Sequence, residues 1–371
     1  MEVSVGDRLA EIHFFEPTGY GGIFQHACRI AECLSQNGRR VVFHTGHQHE
    51  DVALEGVDIC ECSWWPRSAD RSSIRNLTRR FFIAIRLLAV TLPHLLKSMP
   101  PKAILHVQGI APSGVLNWLI MYAMRLAGHR IVYSPHDTFS RRGAIISAID
   151  NMLLRLAYRP AQAIIVYSQA DKQRLAAVGS RVHLSPLIQL VPRPSAAEEL
   201  GWRREWQADG TGEVVLIAGF IRPERRLDLL IESARHWPKG RLLAVVGPDW
   251  GDWARCSNLA QSYNVDIAAR VEFVELEQFA AAIAAADLVV VPTDVASQSG
   301  VLALARELGT PTIAANVGGL GELATRTFVP GDVADLTRVI QAEFDEPSAI
   351  DPVAIEMNAV ESHLRAYGQS A

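Results

Sequence analysis

An α/β protein of two doubly wound domains is predicted by three observations. Short apolar runs, of the kind buried parallel strands give, recur along the chain, among them LAEIHFF (9–15), AIIVYS (163–168), EVVLIAG (213–219) and VVVPT (289–293). Glycine turns and helical periodicities separate these runs, so strand, turn and helix alternate in both halves. At 371 residues the chain is also too long for one ordinary core.

The first half reads as a strand at 9–15, the loop EPTGYGG (16–22) whose last two glycines open a helix at 23–36, and a second strand RRVVFHT (39–45). Strands at 57–63, 103–108, 130–134, 163–168 and 181–185 follow, with helices near 67–99, 113–127, 145–157 and 169–178. Residues 1–190 are assigned to this domain. The stretch around 186–212 mixes proline, charge and glycine, and 191–212 is read as a linker. A second alternation covers 213–345, with strands at 213–219, 241–247, 270–274 and 289–293 and helices at 226–236 and 254–262. The segment 333–368 is read as helical, and its last part, 346–371, is expected to cross back to the first domain.

Hydrophobic residues are 49% and charged residues 20% of the chain, the balance of a folded α/β protein rather than a disordered one. The net charge of −4 gives no global signal for nucleic acid. The first fifteen residues lack a basic region ahead of an apolar core, which argues against a signal peptide. The most apolar helix, 81–96, is interrupted by Arg86, Pro93 and His94, so no membrane span is expected. Five scattered cysteines fit free thiols in a reducing cytosol. Cys60 and Cys62 flank one residue on a strand, which reads as packing on one face. The run HTGHQHED (44–51) is irregularly spaced and reads as a solvated loop rather than a metal box.

The stretch 292–323 organises the rest. A buried strand ends at Thr293, and Ser297, Gln298, Ser299 and Gly300 stand where a helix begins. Small and hydroxyl residues there leave backbone N–H groups facing outward, and the helix dipole favours an anion. Gly309 ends that helix, 312–315 is the next strand, and Gly318, Gly319 and Gly321 make a second amide-rich turn opening another helix. Two such turns at the carboxyl ends of neighbouring parallel strands suit a phosphate-bearing ligand.

The pattern P-x5-QSGV-x7-G-x-P followed by N-V-G-G-L-x-E resembles the donor-sugar site of the retaining glycosyltransferases of family 4. GFIRPERRLDLLIES (219–233) and 270–294 are similar to the family's neighbouring segments; the resemblance is dense over 214–330 and weaker over 10–185. It implies a GT-B arrangement, two Rossmann-like domains facing across a cleft. It further implies a nucleotide sugar as co-substrate, with no cofactor and no metal required. Donor contacts carried over are Arg222, Arg225, Gln298, Ser299, Gly300, Val301, Gly318, Gly319 and Glu322. Gly21, Gly22 and Asp137 would border the phosphate and the acceptor, and His136 would lie close to the transferred sugar. His106, one strand over, is expected to pack inside. Gly21–Gly22 can equally be a plain helix-opening turn, RPERR a solvated basic turn, and His136 a structural hydrogen bonder.

Two departures stand out. Phe220 occupies the place of a frequent arginine, so a two-cation clamp requires Arg222 to substitute. The family's Glu-x7-Glu pair falls on Ala296 and Leu304, which leaves recognition of the ribose, and so the base, open. A branch of the family with Q-S-G-V looks the same here.

Between 67 and 102 there are eight Lys or Arg against one acid, Asp70. Arg71, Arg75, Arg79 and Arg80 lie on this helix opposite an apolar face of Ile74, Leu77, Phe81, Ile85, Leu88, Leu92 and Leu95. A basic amphipathic helix on an acidic protein suggests contact with anionic lipid, hence a cytoplasmic protein at the inner face of the membrane. The reading is a retaining glycosyltransferase acting on a glycan or lipid-linked acceptor in polysaccharide or glycoconjugate biosynthesis. Its rivals are a non-catalytic sugar-binding or partner protein of the same fold, and a nucleotide-sugar epimerase.

Overall fold

The computed structural model describes residues 10–47, 49–63, 82–109, 114–138, 152, 155–179, 181–208, 212–342 and 351–369. The chain divides into two units, Met1–Gln189 with Val353–Ala371, and Leu190–Pro352.

The first unit holds a seven-stranded parallel sheet of β1 (Ile12–Phe15), β2 (Val41–Gly46), β3 (Val57–Ser63), β4 (Ile104–Gln108), β5 (Arg130–Ser134), β6 (Ala163–Val166) and β7 (Val182–Leu184), in the order β3-β2-β1-β4-β5-β6-β7. Its helices are α1 (Gly21–Gln36), α2 (Leu92–Ser98), α3 (Gly114–Leu126) and α4 (Gln169–Arg174). The C-terminal helix Pro352–Tyr367 belongs to this unit. Arg29 Nε donates to Glu356 Oε1 at 2.9 Å, and His106 Nδ1 lies 2.8 Å from the Tyr367 hydroxyl.

The second unit is a six-stranded parallel sheet of β8 (Glu213–Ala218), β9 (Arg241–Val246), β10 (Ile267–Arg270), β11 (Leu288–Val291), β12 (Thr312–Ala315) and β13 (Arg326–Phe328), in the order β10-β9-β8-β11-β12-β13. Alternate residues enter two different apolar layers. Val214, Leu216, Ala244, Val246, Val289 and Val291 pack on one face; Val215, Ile217, Leu243, Val245, Leu288 and Val290 pack on the other. Burial on both faces is why these strands read as unbroken apolar runs.

Five expectations need correction. Residues 191–212 are not a bare linker, because α5 (Ala196–Glu205) forms there behind a Ser195/Glu198 capping box. Its Trp202 and Trp206 are buried in the second unit's core. The strand expected at 270–274 lies at Ile267–Arg270, in parallel register with Leu243–Val246. The glycine turn after β12 opens only the three-residue 3-10 turn Leu320–Glu322 before β13. Segment 333–368 is two helices, Val333–Gln341 and Pro352–Tyr367.

The fifth concerns the helix expected at 67–99. Arg71, Arg75, Arg79 and Arg80 lie outside the described residues, as do Ile74, Leu77 and Phe81. The described part contains a π-helical turn, Leu87–Thr91, ahead of α2. Its buried stripe is Ile83, Leu87, Thr91 and Leu95, whereas Ile85 and Leu88 are exposed. A π turn holds more residues than an α turn, so a four-residue spacing stays on one face where an α-helix would drift round.

Candidate functional site

In the second unit the strand order reverses between β8 and β11, and the crevice outside the carboxyl ends at such a point is where open α/β sheets take ligands. The loop after β8 runs from Gly219 through Arg222 into a 3-10 turn, Pro223–Arg225. Arg226, in the left-handed region at φ 53°, starts α6 (Leu227–Ala234). This loop is tied to the one after β11 at two points. The Thr293 hydroxyl donates to Glu224 O at 2.6 Å, and Arg226 Nη1 donates to Asp294 Oδ2 at 2.6 Å while its Nε meets Asp228.

Arg226 therefore serves the loop; Arg222 and Arg225 are half-buried on the same turn. Phe220 packs against Trp250 at 4.4 Å between ring centroids, and the Arg222 guanidinium stands 5.6 and 5.5 Å from the two rings. Such a placement holds a cation by the ring quadrupoles. The aromatic at 220 thus positions Arg222 rather than leaving an empty place.

After β11, Ser299 caps the helix Gly300–Leu308, its hydroxyl accepting from Leu302 N at 3.3 Å. One of the amides expected to face outward is therefore already satisfied. A Cβ placed on Gly219 would lie 3.8 Å from Val301 Cγ2, so the β8 loop touches the start of this helix. The Gly319 amide donates to Ser297 O at 3.0 Å, which brings the glycine turn after β12 against the Q-S-G-V segment. Gln298 is half-buried and Glu322 exposed. Ala296 and Leu304 are core residues at 5% and 2% exposure.

In the first unit the order reverses between β1 and β4. His136, just beyond β5, is buried with φ 35°. Its Nε2 lies 2.7 Å from Gln108 Oε1, and its ring stacks on Tyr167 at 5.1 Å. Gln108 Nε2 reaches His106 Nε2 at 3.3 Å; Ser134 Oγ is 2.8 Å from that nitrogen and accepts from the Tyr167 hydroxyl at 2.9 Å. If His136 Nε2 carries the proton, Gln108 Oε1 accepts it, and Gln108 Nε2 and the Ser134 hydroxyl share the single lone pair of His106 Nε2. Burial, and then the neighbouring imidazoles of His26 and His363, holds His136 well below the usual histidine range, so it is neutral. Asp137 is exposed beside it.

The glycine turn before α1 differs from expectation. The Gly21 amide donates to Glu50 Oε1 at 2.8 Å, and Gln25 Nε2 donates to Glu50 Oε2 at 2.9 Å. The anion at this helix start is the protein's own carboxylate, whereas Gly22 is exposed with open space where a side chain would stand. HTGHQHED is likewise not simply a solvated loop, since His44 and Glu50 are buried.

Residues 20–187 match the family Glycosyltransferase Family 4, and residues 212–343 match the family described as Glycosyl transferases group 1. The two units are glycosyltransferase domains. A D-inositol 3-phosphate glycosyltransferase of Mycobacterium sp. (strain KMS) is 30% identical over 195 residues, 52% of this chain and 42% of that protein. The chain thus matches less than half the length of this relative. The sucrose-phosphate synthase of Thermosynechococcus elongatus superposes with a TM-score of 0.70 at 17% identity, over 97% of this chain and 94% of that one. Anabaena HepE in complex with UDP-glucose gives 0.66 at 16%, over 97% and 95%. These likenesses establish the GT-B fold.

Within these glycosyltransferase domains, Arg222, Arg225, Ser299, Gly300, Val301, Gly318 and Gly319 lie in the loops at the carboxyl ends of β8, β11 and β12. His136, Asp137, Gly21 and Gly22 belong to the other unit. The sequence reading missed Gln108 and Tyr167, which hold the His136 ring, and Glu50. The only early signal for Gln108 was a polar residue ending an apolar strand.

Gly318 has φ +52°, and a Cβ there would come within 1.9 Å of Ala296 O. Gly318→Ala is therefore expected to force the two loops apart, at a cost of about 1–3 kcal/mol. A lower Tm, with ligand binding lost before unfolding, would show it; an unchanged Tm would mean the loops are not locked.

Glu16, at the end of β1, was also missed. Thr18 N and Gly19 N donate to it at 3.2 and 2.8 Å, but burial outweighs these bonds and pushes its carboxyl up to about 7. A carboxyl whose pKa is raised by folding binds more protons in the folded state between its unfolded and folded values. Stability from this group is thus greatest at low pH and falls from about 4.5 to about 7, by up to about 3 kcal/mol. Glu16→Gln should flatten the fall in Tm between pH 5 and 8; parallel wild-type and variant curves would refute the assignment.

Proposed function

We propose that the chain is a retaining glycosyltransferase that moves a hexosyl group from a nucleoside-diphosphate sugar to a glycan or lipid-linked acceptor. The observation carrying this reading is the pair of glycine- and serine-rich loops locked together at the β8/β11 reversal, with Arg222 and Arg225 on the adjoining turn. Amides at a helix start and arginine forks suit a diphosphate, which must be stabilised as it departs. Gln298, Ser299, Gly300, Val301, Gly318, Gly319 and Glu322 are assigned to the donor. His136 is assigned to the transferred sugar, and Gly22 and Asp137 to the acceptor side. Positioning and leaving-group stabilisation do the work, without a nucleophile–base pair.

Contact with anionic membrane is part of the proposal. Phe82, Ile85, Leu88 and Val90 are exposed beside Arg86, next to the basic run at 67–80. Among the described residues no helix is long and apolar enough to cross a membrane. The reading is therefore peripheral attachment at a cytoplasmic face.

The test is calorimetry against UDP, GDP, ADP and dTDP, each alone and carrying common sugars. Saturable binding of one nucleoside diphosphate is expected, followed by diphosphate release once an acceptor is supplied. No binding by any of them, to folded protein, would overturn the reading. The burial of Ala296 and Leu304, where the resembled family's Glu-x7-Glu pair would fall, favours one second reading, a non-catalytic binding protein. Donor binding without diphosphate release across an acceptor panel would select it.

A further inference from the structure

Away from the donor and acceptor residues, one face of the first sheet gathers a set of metal-ligating side chains. Parallel register aligns Phe15 of β1 with His44 of β2, and His44 with Cys60 of β3. Side chains alternate along a strand, so His13 and Cys62 share that face. The helix α2 packs on it through Leu95 and brings His94 to the same place. One ligand atom from each of His44, Cys62 and His94 lies within 4.8 Å of the others. Cys60 Sγ is 3.2 Å from His94 Nε2. His44 and Cys62 are buried, and Cys60 and His94 half-buried.

Simple packing leaves this cluster short of a partner. His13 Nε2 lies 3.3 Å from Glu11 Oε1, and His13 Nδ1 lies 2.8 Å from His44 Nε2. One proton is shared across the His13–His44 contact, and when His44 Nε2 carries it His13 Nδ1 accepts. His44 Nδ1 is then a bare lone pair, buried with no hydrogen-bond partner among the described residues. An acceptor for the second ring N–H of a ligand histidine is a frequent outer layer of zinc sites, because it fixes the tautomer and raises basicity.

We propose that His44, His94, Cys60 and Cys62 form a closed four-ligand site for zinc that pins β2, β3 and the helix α2 together. Two thiolates and two neutral imidazoles are a donor set that selects zinc over hard cations. Zinc bond lengths of about 2.0–2.3 Å put tetrahedral ligand atoms about 3.3–3.8 Å apart, so small side-chain rotations close the spacing of His44, Cys62 and His94, and Cys60 turns in from its contact with His94 as the fourth ligand. The framework is already set. The Thr91 hydroxyl donates to Cys62 O at 2.9 Å, from a π turn of the kind that recurs at functional sites. With all four positions filled by protein, the site is structural and separate from sugar transfer. The ligands lie far apart in sequence, with only Cys60-x-Cys62 adjacent, so no familiar zinc spacing announces them.

The experiment uses the full chain with any affinity tag removed. Zinc content by mass spectrometry is expected at one equivalent per chain. Cobalt replacing zinc should show thiolate charge-transfer absorption together with strong tetrahedral d–d bands. His94→Gln and Cys60→Ser alter half-buried positions that leave the core intact. Each should lower zinc affinity at least about tenfold in competition with a chromophoric chelator. Zinc should raise the Tm of the wild type but not of His94→Gln, while Cys256→Ser, in the second unit, should bind as the wild type does. Failure of the wild type to take up zinc, a cobalt spectrum without thiolate bands, or wild-type affinity in either ligand variant would overturn the site.

Discussion

Alanine in place of Arg225 is expected to lower affinity for the accepted nucleoside diphosphate about a hundredfold, a loss of about 2.7 kcal/mol. Arg225 is the last residue of a 3-10 turn tied to the β11 loop by the Thr293–Glu224 and Arg226–Asp294 bonds. A guanidinium so placed meets phosphate oxygens with little further ordering, and charge-assisted hydrogen bonds of this sort contribute about 1.5–3 kcal/mol each. Lysine should restore part of the loss, since it keeps the charge but not the planar fork. Arg226→Ala provides the contrast. It breaks the tie to Asp294 and should lower Tm. Calorimetric titration of both variants settles the matter, and wild-type affinity in Arg225→Ala would remove Arg225 from the site.

What could be read beforehand followed from local chemistry. Four strands of the second sheet, β8, β9, β11 and β12, were legible because burial makes them continuous apolar runs, and the Ser299–Gly300 helix start because small and hydroxyl residues follow one directly. The Ser195/Glu198 capping box was also written in the sequence. It went unread because proline and charge around it suggested a linker. Other features depended on contacts that no spacing reveals. Glu50 lies 29 residues from the Gly21 amide that it occupies. Arg226, adjacent to Arg225, is tied to Asp294, which is 68 residues away. The exchange of Phe220 for arginine looked like a missing cation until Trp250 completed the aromatic pair beneath Arg222. The strand at Ile267–Arg270 was displaced from its expected place because register with β9, not hydrophobicity, decides which residues pair.

Replacing His136 is expected to reduce kcat about a thousandfold while leaving donor affinity within a fewfold of the wild type. The geometry favours a residue held for a purpose. A histidine at φ 35° sits where non-glycine residues are uncommon, and such backbone strain collects at functional sites. Gln108 and the Tyr167 ring hold the imidazole on two sides, which fixes its tautomer and its plane. Because burial keeps it neutral, its contribution would be a hydrogen bond to the sugar rather than a positive charge. The rate should then show no titration of His136 near pH 6.5, and a clear inflection there that vanished in the variant would contradict a neutral role. Asparagine is the most informative substitution, since it tolerates the left-handed backbone yet cannot place a ring nitrogen. His136→Asn with wild-type Tm and lost turnover would assign the imidazole to the reaction. The same variant with full turnover would reduce it to a structural hydrogen bonder. Gln108→Ala separates positioning from contact. It should lower kcat by a smaller factor than His136→Asn and leave the donor Kd unchanged, because Gln108 would reach the sugar only through the ring that it orients.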